Sequence, residues 1–389
     1  MQHPKRTILL GILGVFVLLT LVSFGVLQDA AVMGSGFAAK VMGSVVFVAG
    51  RTPESALESE LDLLAPILSY ELDREARTLE VSTLGLGTRT ANYRPGLGVT
   101  LTPFTGEPPL DPAVPPEPWQ PEAGPDPRPW PVGDDTRGPV PDGVDIAAIE
   151  TLADEALQAR IGTRAILVLY DGQVLVERYA EGFGAETRMA GWSVTKSVTN
   201  ALIGRIVMRH DFDIDEPAPV PEWSRDPDDP RAAITTDMLL RMSAGIRFDE
   251  DYFWPYADAP LMLFVHGDTA GYYAAQSLAY PPDTHWAYVS GATNMLSRIV
   301  RRTVGEAAYA TFPRRELFDK INMRSAVMEM DPSGTYVGSS FMWATARDWA
   351  RFGLLFCQDG VWEGERLLPE GWVEYSRTPT RSEEHTSEL

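Results

Sequence analysis

Twenty consecutive uncharged residues, Ile8–Leu27 (ILLGILGVFVLLTLVSFGVL), stand behind Lys5 and Arg6 near the start of the chain. A helix rises about 1.5 Å per residue, so the run spans about 30 Å, the thickness of a bilayer's hydrocarbon core. The basic flank predicts the first residues on the cytoplasmic side and everything after the run on the other. Gln28-Asp29-Ala30 follows in place of an A-x-A cleavage site, so residues 1–30 read as an uncleaved anchor in preference to a signal peptide.

Beyond it the pattern changes in steps. Acids and leucines alternate over residues 53–70, which predicts a helix capped by Thr52. Residues 78–102 are rich in Val, Thr and Leu and punctuated by Gly, which predicts strands. Fourteen of the 31 prolines then fall within Pro103–Gly143. Such a stretch is extended and irregular. Its two tryptophans, Trp119 and Trp130, favour an arm laid on the folded part over a free spacer. From Val144 a globular pattern resumes. Asp145–Ile161 is amphipathic, and TRAILVLYDGQVLVERYA predicts a hairpin turning at Asp171-Gly172. Met342–Cys357 predicts a strongly amphipathic helix. The organisation expected is an anchor or signal segment (1–30), an N-terminal part of the folded unit (31–102), a proline-rich arm (103–143) and the main domain (144–380).

Charge and composition narrow the function. A net charge of −21 repels phosphates, so no nucleic-acid partner is expected. One cysteine, Cys357, forms no internal disulfide or thiolate cluster. The five histidines show no H-x-x-H or H-E-x-x-H spacing, so neither a catalytic zinc nor any other cofactor is expected.

The candidate chemistry lies in MAGWSVTKSVTNALIG. Only four lysines occur, at 5, 40, 196 and 320, against 29 arginines, and Lys196 stands three residues after Ser193. On a helix this spacing puts both on one face. A serine hydroxyl is a poor nucleophile until a base takes its proton, and a buried lysine has the lowered pKa that suits a base. A helix start favours an oxyanion and offers backbone N–H groups to it. Val198, Leu202 and Ile206 fall on one stripe, so this helix is expected at the centre of the domain. A second stretch, PPDTHWAYVSGATNMLSRIV, supplies Tyr288, a phenol able to share the serine proton, and Ser290 two residues later.

Together SVTK and YVSGATN resemble the serine hydrolases of the β-lactamase and penicillin-recognising superfamily. The class C-like branch, with its esterases, D-aminopeptidases and 6-aminohexanoate-dimer hydrolases, is most similar. LLRMSAGIRFDEDYFWP, FMWATARDWARFGLLFCQDGVWEGERLLPEGWV and FVAGR add to the resemblance, which covers most of residues 40–380. It implies an α+β fold: an antiparallel sheet flanked by helices, a mainly helical subdomain inserted between Ser193 and about residue 310, and a site in the cleft between them. It implies Ser193 as nucleophile, Lys196 and Tyr288 as proton-transfer pair, and an acyl-enzyme. Tyr252, in the EDY of residues 250–252, is the expected lid, and Ser290 and Asn294 are expected to bind substrate. Ser290 departs from the Y-A-N form of the antibiotic-hydrolysing enzymes, which counts against strong β-lactamase activity. The function implied is hydrolysis of a small amide or ester at a bacterial inner membrane, on its periplasmic side. A penicillin-sensitive D-Ala-D-Ala peptidase and a non-catalytic sensor are the alternatives.

The last nine residues, RSEEHTSEL (381–389), fall outside the resemblance. They are what translation of a common sequencing-library adapter yields, and are expected to be foreign to the natural protein. The chain as written is therefore expected to lack an edge strand beside the serine, with one oxyanion N–H, and to be inactive and poorly soluble.

Overall fold

The computed structural model describes residues 4–103, 126–136, 138–159, 162–226 and 228–380. The expectations for Trp119 and for residues 381–389 lie outside the described residues. The fold is α+β, with antiparallel sheets and helices.

Helix α1 (Pro4–Phe47) runs unbroken across the boundary expected at residue 30. From Ala31 onward it is almost wholly buried, so its second half is core. Thr52 caps α2 (Pro53–Leu57) through Ser55 N–H at 3.2 Å, as expected. The helix stops at Leu57, however, and does not run to residue 70. Pro66 cannot sit in a helix interior, and Leu68–Asp73 instead forms strand β1, paired with β2. The four strands β1, β2 (Thr78–Thr83), β3 (Leu86–Arg94) and β4 (Gly98–Leu101) form one antiparallel sheet in that order. Its inner face, with Leu79, Val81, Ala91 and Val99, packs on α1.

A buried ion pair fixes α1 to the rest. Lys40 Nζ donates to Glu329 Oε2 at 2.7 Å and to the Val99 carbonyl at 2.6 Å. Ser44 Oγ, Val99 N–H and Trp343 Nε1 donate to the same carboxylate. The pairing matters because an isolated buried charge is costly.

Asp145 caps α3 (Ile146–Gln158), and the hairpin β5 (Ala165–Tyr170)–β6 (Gln173–Tyr179) turns at Asp171 and Gly172, both at positive φ. That is the type I′ geometry which Asp-Gly favours. Strands β7 (Arg188–Ala190), β8 (Val327–Met328) and β9 (Met342–Thr345) form a second antiparallel sheet in the order β7–β9–β8. Residues 342–345 are thus strand where helix was expected. Thr345 then caps α11 (Ala346–Cys357) by accepting from Asp348 N–H. Between β7 and β8 the described residues hold no strand, only α4 (Thr195–His210), α5 (Pro221–Ser224), α6 (Thr236–Leu240), α7 (Asp258–Phe264), α8 (Thr269–Ala274), α9 (Ser290–Val304), α10 (Glu306–Tyr309) and short turns. Helices α4 and α9 supply the centre of the second core. Residues 126–136 of the arm lie against α11: the Arg351 guanidinium sits 4.6 Å from the Trp130 ring and donates to the carbonyls of Pro131 and Gly133.

Candidate active site

Ser193 is set by a sharp change of backbone direction. Strand β7 ends at Ala190, and Gly191 N–H bonds to the Met342 carbonyl of β9 at 2.8 Å. A Cβ on Gly191 would stand 2.4 Å from Trp349 Cζ2, so this close approach requires glycine. Trp192 follows with φ at +41°, a left-handed conformation that costs a bulky residue about 1–3 kcal/mol. Its indole is held between Phe37 of α1 and Phe341, with ring centroids 6.5 and 6.1 Å away. A 3₁₀ turn over Trp192–Val194 leads into α4 and leaves Ser193 exposed at the helix start. Val198, Leu202 and Ile206 are buried beneath it, as the stripe predicts.

Lys196 lies one turn on and points back at the serine. Its Nζ is 3.3 Å from Ser193 Oγ, 3.0 Å from Ser290 Oγ and 2.9 Å from the Ser339 carbonyl, and it stands 4.8 Å from the centre of the Tyr288 ring. Burial holds the ammonium down to about 8, against an opposing pull from the charge of Glu250. At pH 7 about a tenth of such amines are neutral, against about a few in ten thousand for lysine in water. The Ser339 carbonyl reaches Lys196 because the chain before it presses into the α4–α9 junction. A Cβ on Gly338 would meet Ser297 Oγ at 2.2 Å and Thr199 Oγ1 at 2.3 Å.

Tyr288 completes the group. Burial foremost raises its phenol and the charge of Glu250 adds to this, against an opposing pull from the nearby Ser193 hydroxyl. Across the opening, the Tyr252 hydroxyl lies 3.2 Å from Ser290 Oγ and donates to Glu250 Oε1 at 2.9 Å. Glu250 also accepts from Ser290 N–H at 2.9 Å and, through a very short contact, from the Ser290 hydroxyl. Burial foremost, then the Glu250 charge, raise the Tyr252 phenol well above its ordinary value.

Ser193, Lys196, Tyr288, Tyr252 and Ser290 are thus brought together, though Ser290 is itself fully buried and turned to Lys196 and Glu250; Asn294 is likewise not open to a ligand. It is fully buried, accepts from Ser339 N–H at 3.0 Å and donates to Met262 Sδ, so it positions the Ser339 segment that holds Lys196. Two contributors escaped the sequence reading. Glu250 was visible only as a neighbour of Tyr252, and its contact with Ser290 spans 40 residues. Ser339 acts through its carbonyl, which no side-chain pattern reveals.

Residues 147–388 match the family model described as Beta-lactamase. Over 229 residues the chain is 29% identical to the 6-aminohexanoate-dimer hydrolase of Paenarthrobacter ureafaciens, a match covering 54% of this chain and 56% of that enzyme. The chain therefore matches only about half the length of that relative. Among solved structures, a protein from Bacillus anthracis provisionally named a 6-aminohexanoate-dimer hydrolase aligns with a TM-score of 0.46 and 22% identity, over 57% of this chain and 60% of that one. The D-alanine carboxypeptidase AmpC of Burkholderia cenocepacia aligns with a TM-score of 0.43 and 18% identity, over 60% and 68%.

Proposed function

The chain belongs to the beta-lactamase family, and from that premise we propose that it is an exported, membrane-tethered serine hydrolase that cleaves a small amide or ester through an acyl-enzyme on Ser193. The observation that carries this reading is the Lys196 amine, held down to about 8 and lying 3.3 Å from Ser193 Oγ.

Neutral Lys196 takes the hydroxyl proton as Ser193 Oγ attacks the substrate carbonyl. The pKa directions support the amine as base: burial lowers Lys196, while the same burial raises Tyr288 and disfavours a phenolate. Tyr288, beside Lys196, gives its phenolic proton to the leaving group as the tetrahedral intermediate collapses, and the Lys196 ammonium restores that proton to it. N–H groups at the first turn of a helix have no intrahelical acceptor and stabilise the developing oxyanion. A water then attacks the ester formed with Ser193, and Lys196 and Tyr288 move the proton in the opposite sense. Tyr252, whose hydroxyl donates to Glu250 and lies 3.2 Å from Ser290 Oγ, is placed to close over bound substrate. The apolar run of α1, behind Lys5 and Arg6, supports tethering and export.

The test is acylation of the chain in mild detergent by a p-nitrophenyl ester, read by intact mass, which registers the adduct without turnover. A stoichiometric acyl adduct that Ser193→Ala abolishes is the expected result. A durable penicillin adduct in place of ester acylation would move the reading to a cell-wall peptidase. No adduct on a protein with a native circular dichroism spectrum would overturn it.

A further inference from the structure

The loop that reaches Ser290, beside Lys196, is rich in exposed aromatics and is tied to α1 just after its apolar run. Residues 252–256 read Tyr-Phe-Trp-Pro-Tyr. Phe253 is 94% exposed and Trp254 54%, and the Trp254 and Tyr256 rings meet edge-on at 5.6 Å. Two side chains of this size in the open are unusual for a loop whose base is firmly built. Asp249 N–H bonds to the Asp258 carboxylate at 2.7 Å, Ala259 N–H to the Asp249 carbonyl at 3.0 Å, and Phe253 N–H to Asp251 at 2.8 Å. These bonds close the base of the loop and leave its tip in the open.

Its neighbour gives the direction. The Tyr256 hydroxyl donates to Asp29 Oδ2 of α1 at 2.9 Å. Asp29 lies two residues after Leu27, the end of the apolar run, about 3 Å further along the helix axis. Phe24, Val26 and Leu27, on the turn before it, are also exposed. If the run spans the hydrocarbon core, Tyr256 stands at headgroup depth, where tryptophan and tyrosine are enriched. The other end of the same loop carries Glu250 and Tyr252, which contact Ser290 beside Lys196.

We propose that the aromatic tip Phe253–Tyr256 inserts into the interface of the bilayer that holds α1, so that the site loads a membrane-partitioned amphiphilic amide or ester from that interface. The occupant is the lipid surface itself, engaged by aromatic burial. A chain of net charge −21 gains nothing from anionic headgroups, so zwitterionic lipid suffices. The inference rests on the membrane-tethered serine hydrolase reading above.

The experiment uses the full chain in phosphatidylcholine vesicles. Cys357, the lone cysteine and exposed, carries an environment-sensitive NBD fluorophore in one sample. In the other, F253C in a C357S background carries it. Expected are a blue-shifted emission at position 253, quenched by acyl-chain-brominated phosphatidylcholine, and no such quenching at 357. In parallel, F253S/W254S should slow labelling of Ser193 by a hexadecyl fluorophosphonate severalfold, while labelling by a short water-soluble one is unchanged. A chain that floats with the vesicles yet leaves the 253 label in water overturns the proposal and spares the tether. A 253 label shielded without bromide quenching, with a doubled mass by cross-linking, overturns it in favour of a second copy of the chain. A chain that fails to float overturns the tether and the proposal with it. Equal slowing of both probes removes interfacial loading.

Discussion

Changing Glu250 to glutamine should make Lys196 a stronger acid, and the geometry sets how much. The two groups are linked through Ser290: Lys196 Nζ lies 3.0 Å from its hydroxyl, and Glu250 accepts from that hydroxyl. The charges are therefore about 5 Å apart. At that distance their attraction is about 0.8 kcal/mol in water and about 3.3 kcal/mol at the effective dielectric of a partly buried site. Glu250 is half-buried, so roughly 1–2.5 kcal/mol applies, or about one to two pH units. The sign follows from the charge. A neighbouring carboxylate favours the ammonium, so removing it lets Lys196 lose its proton at lower pH. The assay is the second-order rate of Ser193 labelling by a water-soluble fluorophosphonate, measured across pH. In the unmodified protein the rate should rise tenfold per unit and level near about 8, the value to which burial holds Lys196. In E250Q the levelling point should fall by the stated amount, and below it the labelling should be faster than in the parent. Glutamine keeps an acceptor for Ser290 N–H, which limits the geometric disturbance. A parent profile still climbing at pH 10 would refute Lys196 as the base. A levelling point that stays put or moves upward in E250Q would refute the charge argument.

Tyr288→Phe should slow ester acylation of Ser193 by about 10²–10⁴-fold, the usual worth of a positioned proton donor, with an unchanged far-ultraviolet circular dichroism spectrum; stopped-flow absorbance measures it. Folding stability should rise as pH goes from about 8 toward the ordinary lysine value, because the unfolded chain then holds the Lys196 proton that the native site has released. In urea titrations that rise should shrink in K196M, and an unchanged slope would speak against the lowered value. Lys40→Met strands the Glu329 carboxylate in the core and should cost roughly 3–5 kcal/mol, much of it regained in K40M/E329L. Chemical denaturation of the three proteins decides this, and a double variant no better than the single one would count against it. Gly191→Ala forces a methyl into Trp349 and should destabilise by about 1–3 kcal/mol while also slowing Ser193 labelling.

Local signals in the chain were well read where local physics decides. Asp171-Gly172 announced its hairpin because only a few residues accept the left-handed turn. Thr52 announced a helix start because its side-chain oxygen satisfies an N–H group left open there. Ser193, Lys196 and Tyr288 could be nominated together because their motifs are short, and their resemblance to a known family joined them across about ninety residues. Where tertiary pairing decides, the pattern misled. Met342–Thr345 continues the apolar character of the helix after it, and only its pairing with Arg188–Ala190 and Val327–Met328 makes it a strand. Leu68–Asp73 looked like the end of a helix until pairing with Thr78–Thr83 claimed it. The positive φ of Trp192, the Glu250–Ser290 contact and the role of the Ser339 carbonyl leave no local trace, since each is a relation between distant segments. The motif position of Asn294 was legible, whereas its burial and its turn toward Ser339 were not, for the same reason.

The central claim is that Ser193 is a nucleophile activated by Lys196. Its most direct test is peptide mapping by mass spectrometry after a water-soluble fluorophosphonate has reacted with the full-length protein at pH 8. The adduct should sit on the peptide carrying Ser193, be absent from Ser193→Ala, and be strongly reduced in Lys196→Met. An adduct on another residue, or equal labelling of Ser193 with and without Lys196, would contradict the account.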